Sequence, residues 1–300
     1  MAIVQRWRWW RERRRHHPPD EIQRAGELAE QRLAKICRAA GKLNGWCVFE
    51  SVRIPDEELG GKREIDLVIV GGNTLLVVEQ KHWSGSFEIN ADEEFIQRRK
   101  NGTTHNHSTV FQRIQRKSRM LNAMHNHRVG KDGEVMVIVV LAFTNRNLEW
   151  PANITELDCL VKDESGLIEF LENEHPGELN DELLETVAAF GTWDEVVLNG
   201  GLVCKGDVLD LGLGNDVHRW QDGRTGELSA TVFHKRSLFS LLSSAPSSLD
   251  LQHGSLHLQA RLPYGTCMRM HIVGKDTPEE IPWSTISRVL LSKPTGTDNT

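Results

Sequence analysis

The sequence lacks the features of a membrane-spanning or secreted protein. No apolar run approaches the length of a membrane span, and no secretory apolar region follows Met1. The five cysteines are scattered, odd in number and include no Cys-x-x-Cys pair, which argues against a disulfide framework. We therefore expect a reduced, cytoplasmic protein.

A zinc site is also poorly supported. His105 with His107, and His125 with His127, form two pairs at short spacing. No cysteine and no further regular histidine pair accompanies them at the spacing that zinc sites use. We interpret these side chains as loop and helix-end histidines.

Acidic and basic residues are unevenly distributed along the 300 residues, whose net charge is −6. Residues 1–128 contain 23 Lys and Arg against 16 Asp and Glu, whereas the remaining chain contains 13 against 26. The basic half is expected to attract a polyanion such as nucleic acid, in a salt-dependent way. The acidic half is better suited to a protein partner or to self-association.

Composition and spacing predict four segments. Residues 1–19 form a basic arm with six arginines and three tryptophans, suited to nucleic acid, to an anionic membrane surface, or to packing on its own domain. Residues 20–175 alternate helical and strand patterns, and residues 176–194 form a helical connector. From residue 195 onward, short apolar runs separated by glycine, proline and serine predict a smaller all-β barrel or sandwich.

The central pattern of the sequence is a predicted β-hairpin. The apolar runs Leu67–Val70 and Leu75–Val78 flank a Gly-Gly-Asn-Thr turn. The longer run Val135–Phe143 is expected to be the central strand of the same sheet, buried on both faces.

Charged residues lie at the open end of this hairpin. Antiparallel pairing places Asp66 beside Glu79, and Lys81 shares a strand face with Glu79. Two carboxylates in apolar surroundings favour a divalent cation, and the neighbouring ammonium can hold a water or stabilise negative charge. The alternative is a surface ion pair between Glu79 and Lys81 at a strand edge.

These residues resemble a known family. The Asp66, Glu79-Gln80-Lys81 pattern is similar to that of PD-(D/E)XK nucleases. Together with Gly26-Glu27 on a predicted helix and with Gly85, it resembles the nuclease-related domain (NERD) family over roughly residues 22–175. The resemblance implies that Asp66, Glu79 and Glu27 form a Mg²⁺ or Mn²⁺ site and that Lys81 positions the attacking water.

The resemblance also implies a supporting role for Gln112, beside the catalytic lysine or the scissile phosphate. The family's Asn-Pro pair ahead of this glutamine is absent here, where residues 106–111 read Asn-His-Ser-Thr-Val-Phe. Basic residues near the predicted site are candidates for phosphate contacts. They are Arg98, Arg99, Lys100, Arg113, Arg116 and Lys117.

The sequence thus predicts an α/β protein with a restriction-endonuclease-like mixed sheet flanked by helices, followed by a β-rich domain. The predicted function is a metal-dependent nuclease that acts on nucleic acid, most simply DNA. Two alternatives are a non-catalytic nucleic-acid-binding or scaffold protein with the same fold, and a membrane-surface adaptor that uses the basic arm.

Overall fold

A computed structural model describes residues 2–12, 21–58, 61–90, 92, 94–130, 135–151, 160–213, 227–234 and 247–293. The chain divides into two compact units. The central unit comprises the described residues of 21–191, and the terminal unit comprises those of 1–20 together with those of 192–294. Both contain open β-sheets, and helices contribute to each, so the protein is of mixed α/β class.

The central unit is built on a five-stranded sheet in the order β1-β2-β3-β7-β9. The first three strands are antiparallel, whereas β3, β7 and β9 run parallel to one another. Their bounds are Cys47–Pro55, Lys62–Gly71, Thr74–Lys81, Met136–Phe143 and Leu160–Asp163. The predicted hairpin is therefore present as β2 and β3.

The expected central strand is placed differently. β3 occupies the centre of the sheet, and β7 lies between β3 and β9. Only Val139–Phe143 of β7 is buried, and Met136 is 56% exposed. The long apolar run of residues 135–143 therefore does not mark the middle of the sheet, and only its second half is buried.

Helices cover both faces of this sheet. On one face, α2 (Glu21–Gly41) and α4 (Glu164–Asn173) pack on residues such as Leu67 and Leu76. On the other, α3 (Val110–Val129) and α5 (Asp181–Ala189) pack on residues such as Val68. Neighbouring strand residues point to opposite faces, so a fully apolar strand is what this layered arrangement requires.

A second, four-stranded sheet lies in the chain between β3 and α3, with one strand added after β7. Its order is β6-β5-β4-β8. The bounds are Gly85–Ile89 for β4, Phe95–Arg98 for β5, Thr104–His107 for β6 and Leu148–Glu149 for β8.

The terminal unit combines helix α1 (Ala2–Glu12) with eight strands in the order β14-β13-β12-β17-β10-β11-β15-β16. The sheet ends in β14 and β16, so within the described residues it is open and not closed into a barrel. The bounds of β10 to β17 are Asp194–Leu198, Val203–Asp210, Leu228–His234, Ser247–His253, Leu256–Arg261, Cys267–Ile272, Glu279–Pro282 and Ile286–Leu291.

The basic arm supplies part of this unit's core. Trp9 is 5% exposed and belongs to the same buried cluster as Trp283, whose indole Nε1 donates to the Leu211 carbonyl oxygen at 2.7 Å. Among the described residues, no helix combines the length and the apolar character needed to cross a bilayer.

The turn of the central hairpin provides a stability test. Gly72 has φ +53°, and a Cβ added there would lie 1.9 Å from the Pro176 carbonyl oxygen. We expect Gly72→Ala to lower the free energy of unfolding by about 2–4 kcal/mol, since backbone strain and a backbone clash coincide. Urea unfolding followed by circular dichroism measures this.

Gly45→Ala is the matched control, because Gly45 also has a positive φ, +80°, but open space around its Cβ position. It should cost only the backbone strain, about 1 kcal/mol. Equal losses in the two variants would contradict the close approach of Pro176 to the turn.

Candidate functional site

The open end of the β2–β3 hairpin brings two carboxylates together. Leu67 and Val78 form the last pair of the β-ladder, and the same register places Asp66 opposite Glu79. Asp66 Oδ2 accepts a hydrogen bond from the Gln80 backbone N–H at 2.7 Å. The aspartate side chain thus takes the place of a ladder partner and is fixed at the end of β3.

Glu79 binds two ammonium groups. Lys81 Nζ donates to its Oε1 and Lys117 Nζ, from α3, donates to its Oε2, each at 2.7 Å. The three side chains are only 16–20% exposed. An ordinary surface ion pair is more solvated than this, so the cluster lies in a partly buried site where electrostatic interactions are strong.

The two carboxylates have opposite pKa shifts. Burial raises the pKa of Asp66 well above its usual range, and the negative charge of Glu79 raises it further, against the opposing effect of Lys81 and Lys117. Burial would also raise the pKa of Glu79, but the two ammonium groups outweigh it, so that the pKa of Glu79 is lowered. Added positive charge beside Asp66 would therefore be stabilising.

The alternation of side chains between the two faces of the sheet is interrupted at Asp66. The partner across the sheet is Ser51 of β1, whose φ of +48° is the only positive value outside glycine in the described chain. Phe49, before Ser51, and Val52 and Ile54, after it, all face the α3 side of the sheet. Strict alternation would put Phe49 and Val52 on opposite faces, so the strand is irregular between them. Strand β2 shows the same change, because Ile65 and Val68 both face the α3 side.

This irregularity explains how a charged residue is placed within an apolar strand. A positive φ at a serine costs about 1–3 kcal/mol and persists only when its surroundings enforce it. Here it interrupts the ladder at the pair that contains Asp66, so the carboxylate belongs to neither continuous apolar face. Such strain is common at functional sites.

Helix α2 adds negative charge to the site. Glu27, the predicted fourth site residue, is half-buried on this helix. Glu30 follows three residues later on the same side, and its charge raises the pKa values of both Asp66 and Lys81. Glu30 is not among the residues predicted from the sequence, although its spacing from Glu27 could have indicated it.

Thr144 joins α2 to the ends of β3 and β7. Its backbone N–H donates to the Lys81 carbonyl oxygen at 3.1 Å, and its Oγ1 accepts from Gln80 Nε2 at 2.8 Å. Arg32 of α2 donates to the Thr144 carbonyl oxygen at 3.2 Å and to Glu164 Oε2 at 2.6 Å. These contacts fix the backbone on which Glu79 and Lys81 are carried.

The predicted residues of α3 have different environments. Lys117 lies within the site, but Arg116 makes two hydrogen bonds, at 2.8 and 2.9 Å, to the buried carboxylate of Asp56. Arg63 also binds Asp56, at 2.7 Å. Arg116 therefore holds α3 against the segment between β1 and β2. Gln112 and Arg113 are exposed, and Gln112 lies about 140° around the helix from Lys117.

The remaining basic candidates lie at the β5–β6 turn. Arg98, Arg99 and Lys100 are exposed, and Arg98 pairs with Glu88 at 2.9 Å. They are brought near one another by the turn but are not part of the Asp66–Glu79 cluster.

His107 is a residue that the sequence analysis assigned only to a loop or helix end. It lies on β6 and stacks on Trp83, with ring centroids 4.2 Å apart and an interplanar angle of 21°. Its Nε2 is 3.2 Å from Gln97 Oε1, which favours the Nε2-protonated tautomer because an amide oxygen only accepts. In the described chain, no group of three or more His, Cys, Asp and Glu residues is arranged to hold a metal ion.

The opposite pKa shifts predict opposite effects on stability in the absence of divalent cations. Asp66→Asn should raise the free energy of unfolding at pH 7 by about 1–2 kcal/mol, because it removes the cost of ionising a buried group. That gain should vanish below about pH 4, where the unfolded chain is protonated as well. Urea unfolding in EDTA at several pH values measures it.

Glu79→Gln should instead lower the free energy of unfolding at pH 7 by about 2–3 kcal/mol, since Lys81 and Lys117 lose their anionic partner. This stabilisation is present above the ordinary glutamate pKa and is lost as the pH falls through the lowered folded-state pKa. Asp92→Asn, at an exposed aspartate, is the control and should have little effect. Shifts of the same sign in both site variants would refute this account of the electrostatics.

Comparison with known proteins agrees with the geometry of the central unit. Residues 25–144 match the family model described as the nuclease-related domain, NERD. The match includes Glu27, Asp66, Glu79, Lys81 and Gln112. No curated protein and no solved structure matches the chain. Residues 25–144, which contain the hairpin site, therefore match the NERD family of nuclease-related domains.

Proposed function

We propose that the central unit is a metal-dependent nuclease of the PD-(D/E)XK type that hydrolyses phosphodiester bonds, most simply in DNA. The observation that carries this proposal is the cluster of Asp66, Glu79 and Lys81 at the end of the central strand. Its two carboxylates and its ammonium are partly buried and held in place by hydrogen bonds. The scattered cysteines favour a cytoplasmic setting for this activity.

The donor set fits Mg²⁺ or Mn²⁺. Asp66 and Glu79 supply hard oxygen ligands. Burial raises the pKa of Asp66 and the charge of Glu79 raises it further, so a bound cation would favour the ionised carboxylate. Glu27 would complete or orient the site from α2. Water and phosphate oxygens would fill the other positions, since Mg²⁺ commonly keeps several waters. When bound, the ion would supply Lewis-acid activation of the phosphate and of the attacking water.

The side chains of this chain would divide the remaining work. Lys81 would orient the attacking water, whose oxygen forms the new bond to phosphorus as the bond to the leaving oxygen breaks. The water gives up a proton, and the leaving oxygen gains one. Lys117 would bind the second carboxylate oxygen of Glu79 and offset part of its negative charge. Glu79 would then hold Lys81 less strongly.

Exposed basic residues would bind the nucleic-acid backbone. Arg113 of α3 and the group Arg98, Arg99 and Lys100 at the β5–β6 turn are accessible for phosphate contacts. Arg116 is less suited to this role, because its guanidinium is already engaged by Asp56 and Glu58. Gln112 is exposed, so it is better placed to contact the substrate than to contact the carboxylates of Asp66 and Glu79. Binding through these residues should weaken as salt rises.

The alternative is a non-catalytic nucleic-acid-binding or scaffold protein with the same fold. It is less favoured, because all four of Glu27, Asp66, Glu79 and Lys81 are retained and the last three are brought together. Selection for binding alone would not require this buried charge cluster.

A cleavage assay tests the proposal. The full chain is incubated with circular and with linear DNA, in Mg²⁺ or in EDTA. We expect cleavage in Mg²⁺ only, and a loss of at least about 100-fold in Asp66→Asn and Lys81→Met, since each removes a group that acts in the transition state. Asp92→Asn and Lys35→Met remove exposed charges elsewhere and should retain activity.

Metal binding gives a readout that does not depend on cleavage. Calorimetric titration with Mn²⁺ should give binding to the wild-type chain that Asp66→Asn abolishes and Asp92→Asn does not. Folded wild-type protein that binds DNA in a salt-sensitive way, but neither binds Mn²⁺ nor cleaves, would establish the non-catalytic alternative.

A further inference from the structure

Helix α1 has one face fixed to the terminal unit. Trp9 is buried there, with edge-to-face ring contacts to Tyr264 at 5.9 Å and to His234 at 6.1 Å. The Arg6 guanidinium lies over the Tyr264 ring at 5.5 Å, and Glu12 Oε2 accepts from Ser284 Oγ at 3.4 Å. The helix is therefore anchored by side chains along its length.

The other face of α1 is apolar and exposed. Ile3 is 70% exposed, Val4 64% and Trp7 50%. Ile3, Trp7 and Arg11 follow one another at four-residue spacing, and Val4 and Arg8 form a parallel row beside them. Arg8 and Arg11 are exposed, and the Arg11 guanidinium lies 5.4 Å from the Trp7 ring centroid. This set of five residues is called the outer face of α1 below.

The chemistry of the outer face distinguishes between possible partners. Nucleic acid would engage the arginines and Trp7, but it offers no apolar environment for Ile3 and Val4. A bilayer surface offers a suitable environment for the aliphatic side chains and for Trp7, because aliphatic side chains enter the acyl boundary and tryptophan prefers the interface. Arginine binds the phosphate of anionic headgroups there.

We propose that the outer face of α1 is a docking surface for an anionic phospholipid bilayer. The helix would lie in the plane of the interface and would not span it. Since Trp9 already fixes α1, little conformational entropy would be lost on binding. Helix α1 itself carries Arg6, Arg8 and Arg11 against one acidic residue, Glu12, so it is attracted to an anionic surface.

Vesicle co-sedimentation of the full chain tests this. We expect binding to vesicles of phosphatidylcholine mixed with phosphatidylserine, weak binding to phosphatidylcholine alone, and a decrease with added salt. Ile3→Asp and Trp7→Asp should each weaken binding at least about tenfold, because they place a charge at the acyl boundary. Arg8→Gln and Arg11→Gln should each weaken it about fivefold.

The control variant is Leu43→Asp. Leu43 is 92% exposed, belongs to the central unit and is not part of the outer face of α1. It should bind vesicles as the wild type does. Asp66→Asn should also bind normally, so that a failure of the proposed nuclease activity and a failure of this proposal are separable. Circular dichroism of each variant verifies that it is folded.

Three results would overturn the proposal. They are the absence of vesicle binding by folded wild-type protein, equal binding to both lipid compositions, and an equal effect of Leu43→Asp and Trp7→Asp. Loss of single-stranded DNA binding in the α1 variants, without any binding of the wild type to vesicles, would assign the face to nucleic acid.

Discussion

Glu79 is the residue on which the electrostatics of the candidate site depends. Both of its carboxylate oxygens accept from lysine ammonium groups, one on its own strand and one on α3. These contacts keep the partly buried Glu79 ionised and lower its pKa. Asp66, its neighbour across the hairpin, is destabilised in its ionised form by burial and has a raised pKa. The same contact with Lys117 ties α3 to the end of the central strand, so charge balance and helix placement have a common cause.

Much of the fold could be predicted from periodicity, because apolar alternation records which faces a segment buries. The hairpin follows the predicted runs Leu67–Val70 and Leu75–Val78 closely, and Gly26-Glu27 lies on α2, where a helix is predicted. Asp66, Glu79 and Lys81 were predicted to be site residues because they are charged residues close to the apolar runs of the hairpin. Charges directly beside a buried run lie at the edge of a core, where charged groups are rare unless they have a use.

Other features leave no periodic signal. Strands β5 and β6 contain polar residues such as Gln97 and Asn106, and pairing within the chain, not an apolar pattern, defines them. The positive φ of Ser51 leaves no signal in the sequence, since the other positive values among the described residues all belong to glycines. Lys117 and Arg116 are adjacent basic residues with opposite partners, Glu79 and Asp56, and only the rotation of α3 distinguishes them.

The discontinuity of the terminal unit has a consequence for folding during synthesis. Trp9 and Trp283 belong to the same buried cluster, yet about 270 residues separate them in the chain. At roughly 5–20 residues per second, α1 leaves the ribosome tens of seconds before its partner strands exist. The intervening unit can fold in that interval, while the tryptophans of α1 stay accessible to chaperones. The core of the terminal unit can be completed only after β17 has been synthesised, because α1 and β17 both contribute to it.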